Sequence, residues 1–116
     1  LNEKVADLYD PTHPALLRLM QLTVEAGKRN GIWTGLCGEM AGDPTAIPLL
    51  IGLGIDELSV APPMLPQIKY LIRRIKLSEA QQLAAQALEC ESSVDILVQS
   101  RAMVQRVAPG MFHTVL

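Results

Sequence analysis

Aromatic residues are scarce in this chain: one Trp, two Tyr and one Phe among 116 residues. Because 49% of the sequence is nevertheless apolar, a core must be filled by Leu, Ile, Val and Ala. No apolar run approaches the roughly 20 residues that a membrane span requires, and no signal peptide opens the chain, so no membrane contact is expected. The two cysteines lie far apart and form no disulfide framework. They suit a reducing compartment, and the expected location is cytoplasmic. Basic residues are scattered and the net charge is only −2, which removes the electrostatic footprint of a nucleic-acid binder. No set of Asp, Glu, His and Cys has metal-ligand spacing. The length fits one domain, yet the chain opens Leu1-Asn2-Glu3 without a methionine and is expected to be a piece of something larger.

The pattern along the chain predicts helix, strand, helix, strand and then three helices. Asp10-Pro11-Thr12-His13-Pro14 is a turn that places Pro14 at the first position of a helix. Leu16, Leu17, Met20 and Val24 recur at helical spacing, and Asn30-Gly31 stops the helix. Residues 32–36 include β-branched and aromatic side chains, are bounded by glycine, and predict a strand. Asp43-Pro44 offers an N-cap and a proline start for a helix carrying Ile47, Leu50 and Ile51 on one face, which Pro48 should tighten or kink. After Gly52-Leu53-Gly54, a second strand is expected over 57–60. Ala61-Pro62-Pro63 breaks it, and a helix follows with Ile68, Leu71, Ile72 and Ile75. Lys69, Arg73 and Lys76 share one face of that helix, as a solvated stripe. Ser78-Glu79-Ala80-Gln81 has the form of a capping box opening the next helix through Leu83, Ala84, Ala87 and Leu88. Ser92 or Ser93 caps a last helix through Leu97, Val98 and Val104, and Pro109-Gly110 releases a tail.

Strands that alternate with helices imply parallel pairing with crossovers. Two parallel strands cannot stand alone, because both edges are bare and one face lacks cover. The expected fold class is therefore α/β, as the last part of a larger domain.

Chemistry concentrates in Thr34-Gly35-Leu36-Cys37-Gly38-Glu39-Met40-Ala41-Gly42-Asp43. A lone cysteine stands between Gly35 and Gly38, where a strand runs towards a helix. Glycines there allow unusual backbone angles and close approach of a ligand. The carboxyl end of a strand is also where α/β folds keep reactive groups. Buried cysteines are more often inert, so simple packing of Cys37 is the competing reading. Glu39 either tunes the thiol, since a nearby carboxylate favours its protonated form, or favours the dipole of the helix that follows.

This run, followed by Gly52-Leu53-Gly54-Ile55-Asp56-Glu57-Leu58-Ser59-Val60, closely resembles the C-terminal region of the enzyme I family of the bacterial phosphotransferase system, the phosphoenolpyruvate–protein phosphotransferases. Tyr9-Asp10-Pro11-Thr12-His13-Pro14 and Leu65-Pro66-Gln67-Ile68-Lys69 share the likeness, which covers about residues 2–88. The cysteine motif alone also resembles pyruvate phosphate dikinase and phosphoenolpyruvate synthase. The resemblance implies a (β/α)8 TIM barrel that binds phosphoenolpyruvate (PEP) at the C-terminal ends of its strands. Residues 1–90 would be its closing β/α units, with two parallel strands, and residues 91–116 a terminal helix and tail. Such barrels take about 250 residues, so most of the barrel is expected outside this chain.

The same resemblance makes Cys37 the proton donor to the enolate left when PEP passes its phosphoryl group to a histidine on a separate domain. A thiol, with an ordinary pKa near ~8.5, stays protonated at neutral pH yet can yield its proton to a carbanion. Gly35, Gly38 and Glu39 are the expected substrate-binding neighbours. The family's Mg2+ ligands and arginine clamp are expected upstream of Leu1, so no metal ligand is assigned here and the isolated segment is expected to be inactive. A phosphocarrier protein is the expected partner of the intact enzyme, which is expected to be a homodimer. His13 is expected to be structural, Cys90 incidental, and His113 carries no signal. A non-catalytic interaction or structural fragment is the reading from a different class.

Overall fold

The computed structural model describes residues 2–112. Its five α-helices are α1 (Pro14–Arg29), α2 (Ile47–Leu53), α3 (Leu65–Ile72), α4 (Leu77–Glu89) and α5 (Ser93–Val107). Two short strands, β1 (Gly35–Leu36) and β2 (Glu57–Leu58), pair in parallel with Gly35 opposite Glu57 and Leu36 opposite Leu58. The result is a helix-rich α/β arrangement in which α2 forms the crossover between the strands. Short 3₁₀ turns occupy Glu3–Leu8, Glu39–Gly42 and Pro62–Met64.

The organising element is α2. Ile47, Pro48, Leu49, Leu50 and Leu53 are all buried, so the helix is apolar around its circumference. It packs most extensively on α4 and also touches α1, α3 and α5. The α2–α4 crossing is possible because residue 52 is glycine. A Cβ there would come within 2.0 Å of the Ala80 carbonyl oxygen. Gly54 then ends α2 in the left-handed conformation (φ 93°, ψ 23°), and the Ile55 N–H donates to the Leu50 carbonyl, closing the last turn. One continuous cluster runs from Leu17 through α2 and α4 to Ile96, Val104 and Ala108.

Several expectations about the elements are corrected. The α2 helix begins at Ile47 rather than Pro44, because Asp43 builds a turn of its own. Its Oδ1 accepts from the Thr45 N–H at 3.0 Å, and its carbonyl accepts from the Ala46 N–H. Pro48 therefore sits in the first turn of α2, where its missing N–H is not needed, and does not kink the helix. Residues 32–34 lie outside the ladder, where Thr34 donates its N–H to the Asp56 carboxylate at 2.9 Å. The second strand likewise stops at Leu58, and α3 ends at Ile72 in a tight turn through Ile75.

No capping box forms at Ser78. The α4 helix starts one residue earlier, after Lys76, and Glu79 pairs with Arg106 at 2.9 Å instead. Ser92 is the cap of α5, its Oγ accepting from the Asp95 N–H. The buried face of α5 is Ile96, Ser100 and Val104, while Leu97 and Val98 are exposed. Ser100 takes that place because its hydroxyl donates to the Thr45 carbonyl at 2.5 Å, satisfying a buried acceptor. Pro14 opens α1 as expected, with His13 Nδ1 accepting the Ala15 N–H, which gives that histidine its capping role. Lys69, Arg73 and Lys76 are exposed. His113 lies outside the described residues.

Candidate functional site

The two strands end side by side, and the chain beyond each one opens into the same hollow. After Leu36, whose carbonyl accepts from the Ser59 N–H at 2.8 Å, come Cys37, Gly38 and the 3₁₀ turn that begins at Glu39. After Leu58 come Ser59 and Val60. Cys37, Gly38, Glu39, Ser59, Val60 and Met64 line an open cavity of about 600 Å³. That volume suits a small ligand. Three of the four residues singled out by the sequence therefore meet in one place.

Cys37 is exposed rather than packed into the core. The chain can present it because Gly38 adopts φ 93° and ψ −173°, a conformation that side chains with a Cβ rarely take. No atom lies within 4 Å of where a Cβ would project from Gly38, so torsion alone fixes its identity. Glu39 is exposed at the first position of the turn, beside the cysteine.

Gly35 does not share this cavity. It lies on β1 and borders a second hollow of about 640 Å³ with Leu22, Ala26, Ile32, Trp33 and Thr34. Among the glycines with positive φ Gly35 does not figure, and a Cβ there would make only ordinary contact with Glu57.

One residue near the site carried no signal in the sequence beyond the shared likeness of its turn. Burial raises the Tyr9 phenol above its ordinary pKa, and the charges of Asp43 and Glu39 raise it further. That places the ring within electrostatic reach of the 39–43 turn. Spatial proximity across some thirty residues leaves no periodic trace in a sequence, so only the fold reveals it. Cys90, by contrast, is half-buried between α4 and α5, with its Sγ 3.5 Å from the Ser92 carbonyl.

Among the described residues no three His, Cys, Asp or Glu side chains come together in a way that could hold a metal ion. No helix among them is long and apolar enough to cross a membrane. The chemically distinctive groups at the cavity are thus a thiol, a hydroxyl and a carboxylate.

Comparison with known proteins gives this arrangement a context. A family model described as PEP-utilising enzyme, PEP-binding domain, matches residues 1–77. The chain is 45% identical over 97 residues to the phosphoenolpyruvate-protein phosphotransferase of Staphylococcus carnosus, covering 84% of the chain and 17% of that protein. It is 46% identical over 96 residues to the protein of the same name from Mycoplasma pneumoniae (83% of the chain, 17% of that protein). For the Mycoplasma genitalium protein of that name the identity is 48% over 92 residues (79% and 16%). The chain thus spans about one-sixth of the length of the curated relatives it matches.

Proposed function

Since the chain belongs to the PEP-utilising enzymes, matched through their PEP-binding domain, we propose that it forms the cysteine-bearing end of the PEP site in a protein phosphotransferase. In this reading the parent enzyme moves the phosphoryl group of PEP to a protein histidine and releases pyruvate. Cys37 is the acid that completes the reaction. Its S–H proton passes to C3 of the enolate, the enol π electrons form the new C–H bond, and the thiolate left behind regains a proton from solvent. Gly38 gives the thiol its exposure, and Glu39 follows it at the mouth of the same cavity. Gly35 supports the strand that carries them.

The observation that carries this reading is the exposed Cys37 at the carboxyl end of a parallel strand, on the wall of an open cavity. The matched relatives' shared name favours a protein acceptor over the nucleotide-using branch of the family.

We further propose that the two strands are the closing strands of a (β/α)8 barrel, with residues 1–90 its last β/α units and 91–116 a terminal helix and tail. Support comes from the uncovered side of β1. Trp33 and Ile32 are 80% and 64% exposed beside it, and Leu19 and Leu22 on α1 are also exposed. An apolar surface next to an unpaired strand edge calls for further strand and helix to cover it.

The Mg2+ that the resemblance implies does not fit the residues present, since no metal-binding cluster forms among those described. Its ligands, and the cationic clamp for the phosphate, belong elsewhere in the parent. Phosphoryl transfer depends on such positioning and charge neutralisation, so the chain by itself is proposed to be inactive. A phosphocarrier protein as acceptor partner, a homodimeric parent and a cytoplasmic location complete the proposal.

The test is Cys37→Ala in the full-length parent, assayed for pyruvate formation from PEP. The expected result is a fall of roughly a hundredfold or more, the scale of a lost general acid, with an unchanged circular dichroism spectrum. A retained rate would overturn the assignment.

A further inference from the structure

Helix α5 lies beyond the stretch that the family model matches, which ends at residue 77. Two of its side chains nevertheless reach back to segments on either side of β1. Ser93 and Ser100 are seven residues apart, two turns of helix, and so share one face. Ser93 Oγ donates to Asp10 Oδ2 at 2.5 Å, in the loop before α1. Ser100 Oγ donates to the Thr45 carbonyl at 2.5 Å, just beyond the turn that follows Cys37. The second tie is the buried one, with Ser100 0% and Thr45 6% exposed. Ile96 and Val104 flank Ser100 on the buried face, in a core cluster that also holds Met40 and Ala46. A hydroxyl amid such apolar neighbours costs free energy unless a hydrogen bond offsets it, and the Thr45 carbonyl supplies that bond.

From Thr45 a run of hydrogen bonds leads back to the cysteine. The Thr45 N–H donates to Asp43 Oδ1 at 3.0 Å, and the Ala46 N–H to the Asp43 carbonyl at 2.9 Å. The Asp43 N–H donates to the Met40 carbonyl and the Ala41 N–H to the Gly38 carbonyl, each at 3.2 Å. These spans overlap, so residues 38–46 form one hydrogen-bonded unit, and Cys37 is the residue immediately before it. The cavity side of the unit is closely packed as well: a Cβ on Gly42 would stand 3.0 Å from Val60 Cγ1. The unit is thus set between Val60 on one side and the Ser100 hydroxyl at its far end.

We propose that Ser100 is a positioning residue of the Cys37 site: by holding the Thr45 carbonyl it fixes the 38–46 unit, and with it the place from which Cys37 faces the cavity. The proposal rests on the acid role given above to Cys37. Ser100 acts through the main chain. Such support matters because a misplacement of about 1 Å, caused far from the chemistry, can cost on the order of a hundredfold in rate.

The experiment uses the full-length parent and compares two variants of α5. Ser100→Ala removes the hydroxyl alone, while Val104→Ala loosens the same buried face and leaves the tie in place. Backbone hydrogen exchange of the peptide spanning residues 38–46, read by mass spectrometry, is expected to quicken about tenfold in Ser100→Ala and less than twofold in Val104→Ala. Exchange of the pyruvate methyl hydrogens with deuterated water should slow at least threefold in Ser100→Ala and stay within about 1.5-fold of the wild type in Val104→Ala. General loosening of the fold would move both variants together. Equal effects in the two variants, unchanged backbone exchange in Ser100→Ala, or quicker backbone exchange with unchanged methyl exchange would each overturn the proposal. Cys37→Ala separates this failure from failure of the acid role. If methyl exchange survives Cys37→Ala, the acid role falls; if it collapses there but not in Ser100→Ala, only the positioning role falls.

Discussion

Around α2 every side is occupied, whereas among the described residues β1 and β2 have one paired edge each and a bare edge beyond it. The helix crosses α4 at Gly52 so closely that the backbone of Ala80 fills the space where a side chain would be. The strands, only two residues each, leave Trp33 and Ile32 largely exposed and carry Cys37 at their open end. The comparison separates two kinds of constraint. Residues around α2 are fixed by packing within this chain. Those around Cys37 are fixed by backbone geometry and polar contacts, and the apolar side chains beside β1 stay exposed.

Substitutions can break this contrast or sharpen it. The largest expected effect is Gly52→Ala. Its methyl group would meet a carbonyl oxygen that cannot move without displacing α4, so a loss above about 3 kcal/mol in chemical denaturation is expected. A variant as stable as the wild type would show that the crossing is not close. Leu50→Ala, in the fully buried face of α2, should cost roughly 2–5 kcal/mol in the same measurement. Next comes Ser100→Ala, which leaves the buried Thr45 carbonyl without its donor at a cost of about 1–3 kcal/mol.

At the open end, Gly38→Ala should cost only about 1–2 kcal/mol through its backbone angle, because nothing crowds the added methyl. Its main effect should instead be a changed reactivity of the neighbouring Cys37, read by alkylation rate. Smallest at neutral pH is the charge stripe. Arg73→Ala is expected to stay within about 0.5 kcal/mol of the wild type, as exposed cations usually do.

The Asp10 carboxylate, which accepts hydrogen bonds from Ser93 Oγ and from the N–H and hydroxyl of Thr12, adds a pH-dependent comparison. The Asp10 carboxyl is held below its ordinary value in the folded chain, so its ionised form contributes stability above the unfolded pKa of about 3.9. That contribution is lost as pH falls through the folded value. Asp10→Asn should therefore melt below the wild type at pH 7, with the gap narrowing as the pH falls below about 4. A gap that stays constant with pH would show that the carboxylate charge is not what these hydrogen bonds use.

How far the sequence disclosed this molecule follows the same division. Periodicity located all five helices, because α1, α3 and α4 each turn one apolar face to a common core. It failed where a local interaction competed with the pattern. Asp43 delayed α2 by forming a turn, Glu79 left the capping position for Arg106, and Ser100 displaced Leu97 and Val98 from the buried face of α5. Strand lengths were overestimated because β propensity at residues 32–34 finds no partner strand among the described residues.

The candidate site was legible as a motif. Cys37, Gly38 and Glu39 are adjacent in the chain and share a cavity. Gly35 borders another hollow, because it lies on β1 whereas the other three follow the strand's end.

The account turns on an exposed thiol that delivers a proton to carbon. Its most direct test is exchange of the pyruvate methyl hydrogens with deuterated water, catalysed by the full-length parent and followed by proton NMR. With Cys37→Ser, which keeps the size of the side chain but makes it a far weaker acid, exchange is expected to fall roughly a hundredfold or more while pyruvate still binds. Exchange at the wild-type rate would show that another group moves the proton, and would contradict the account.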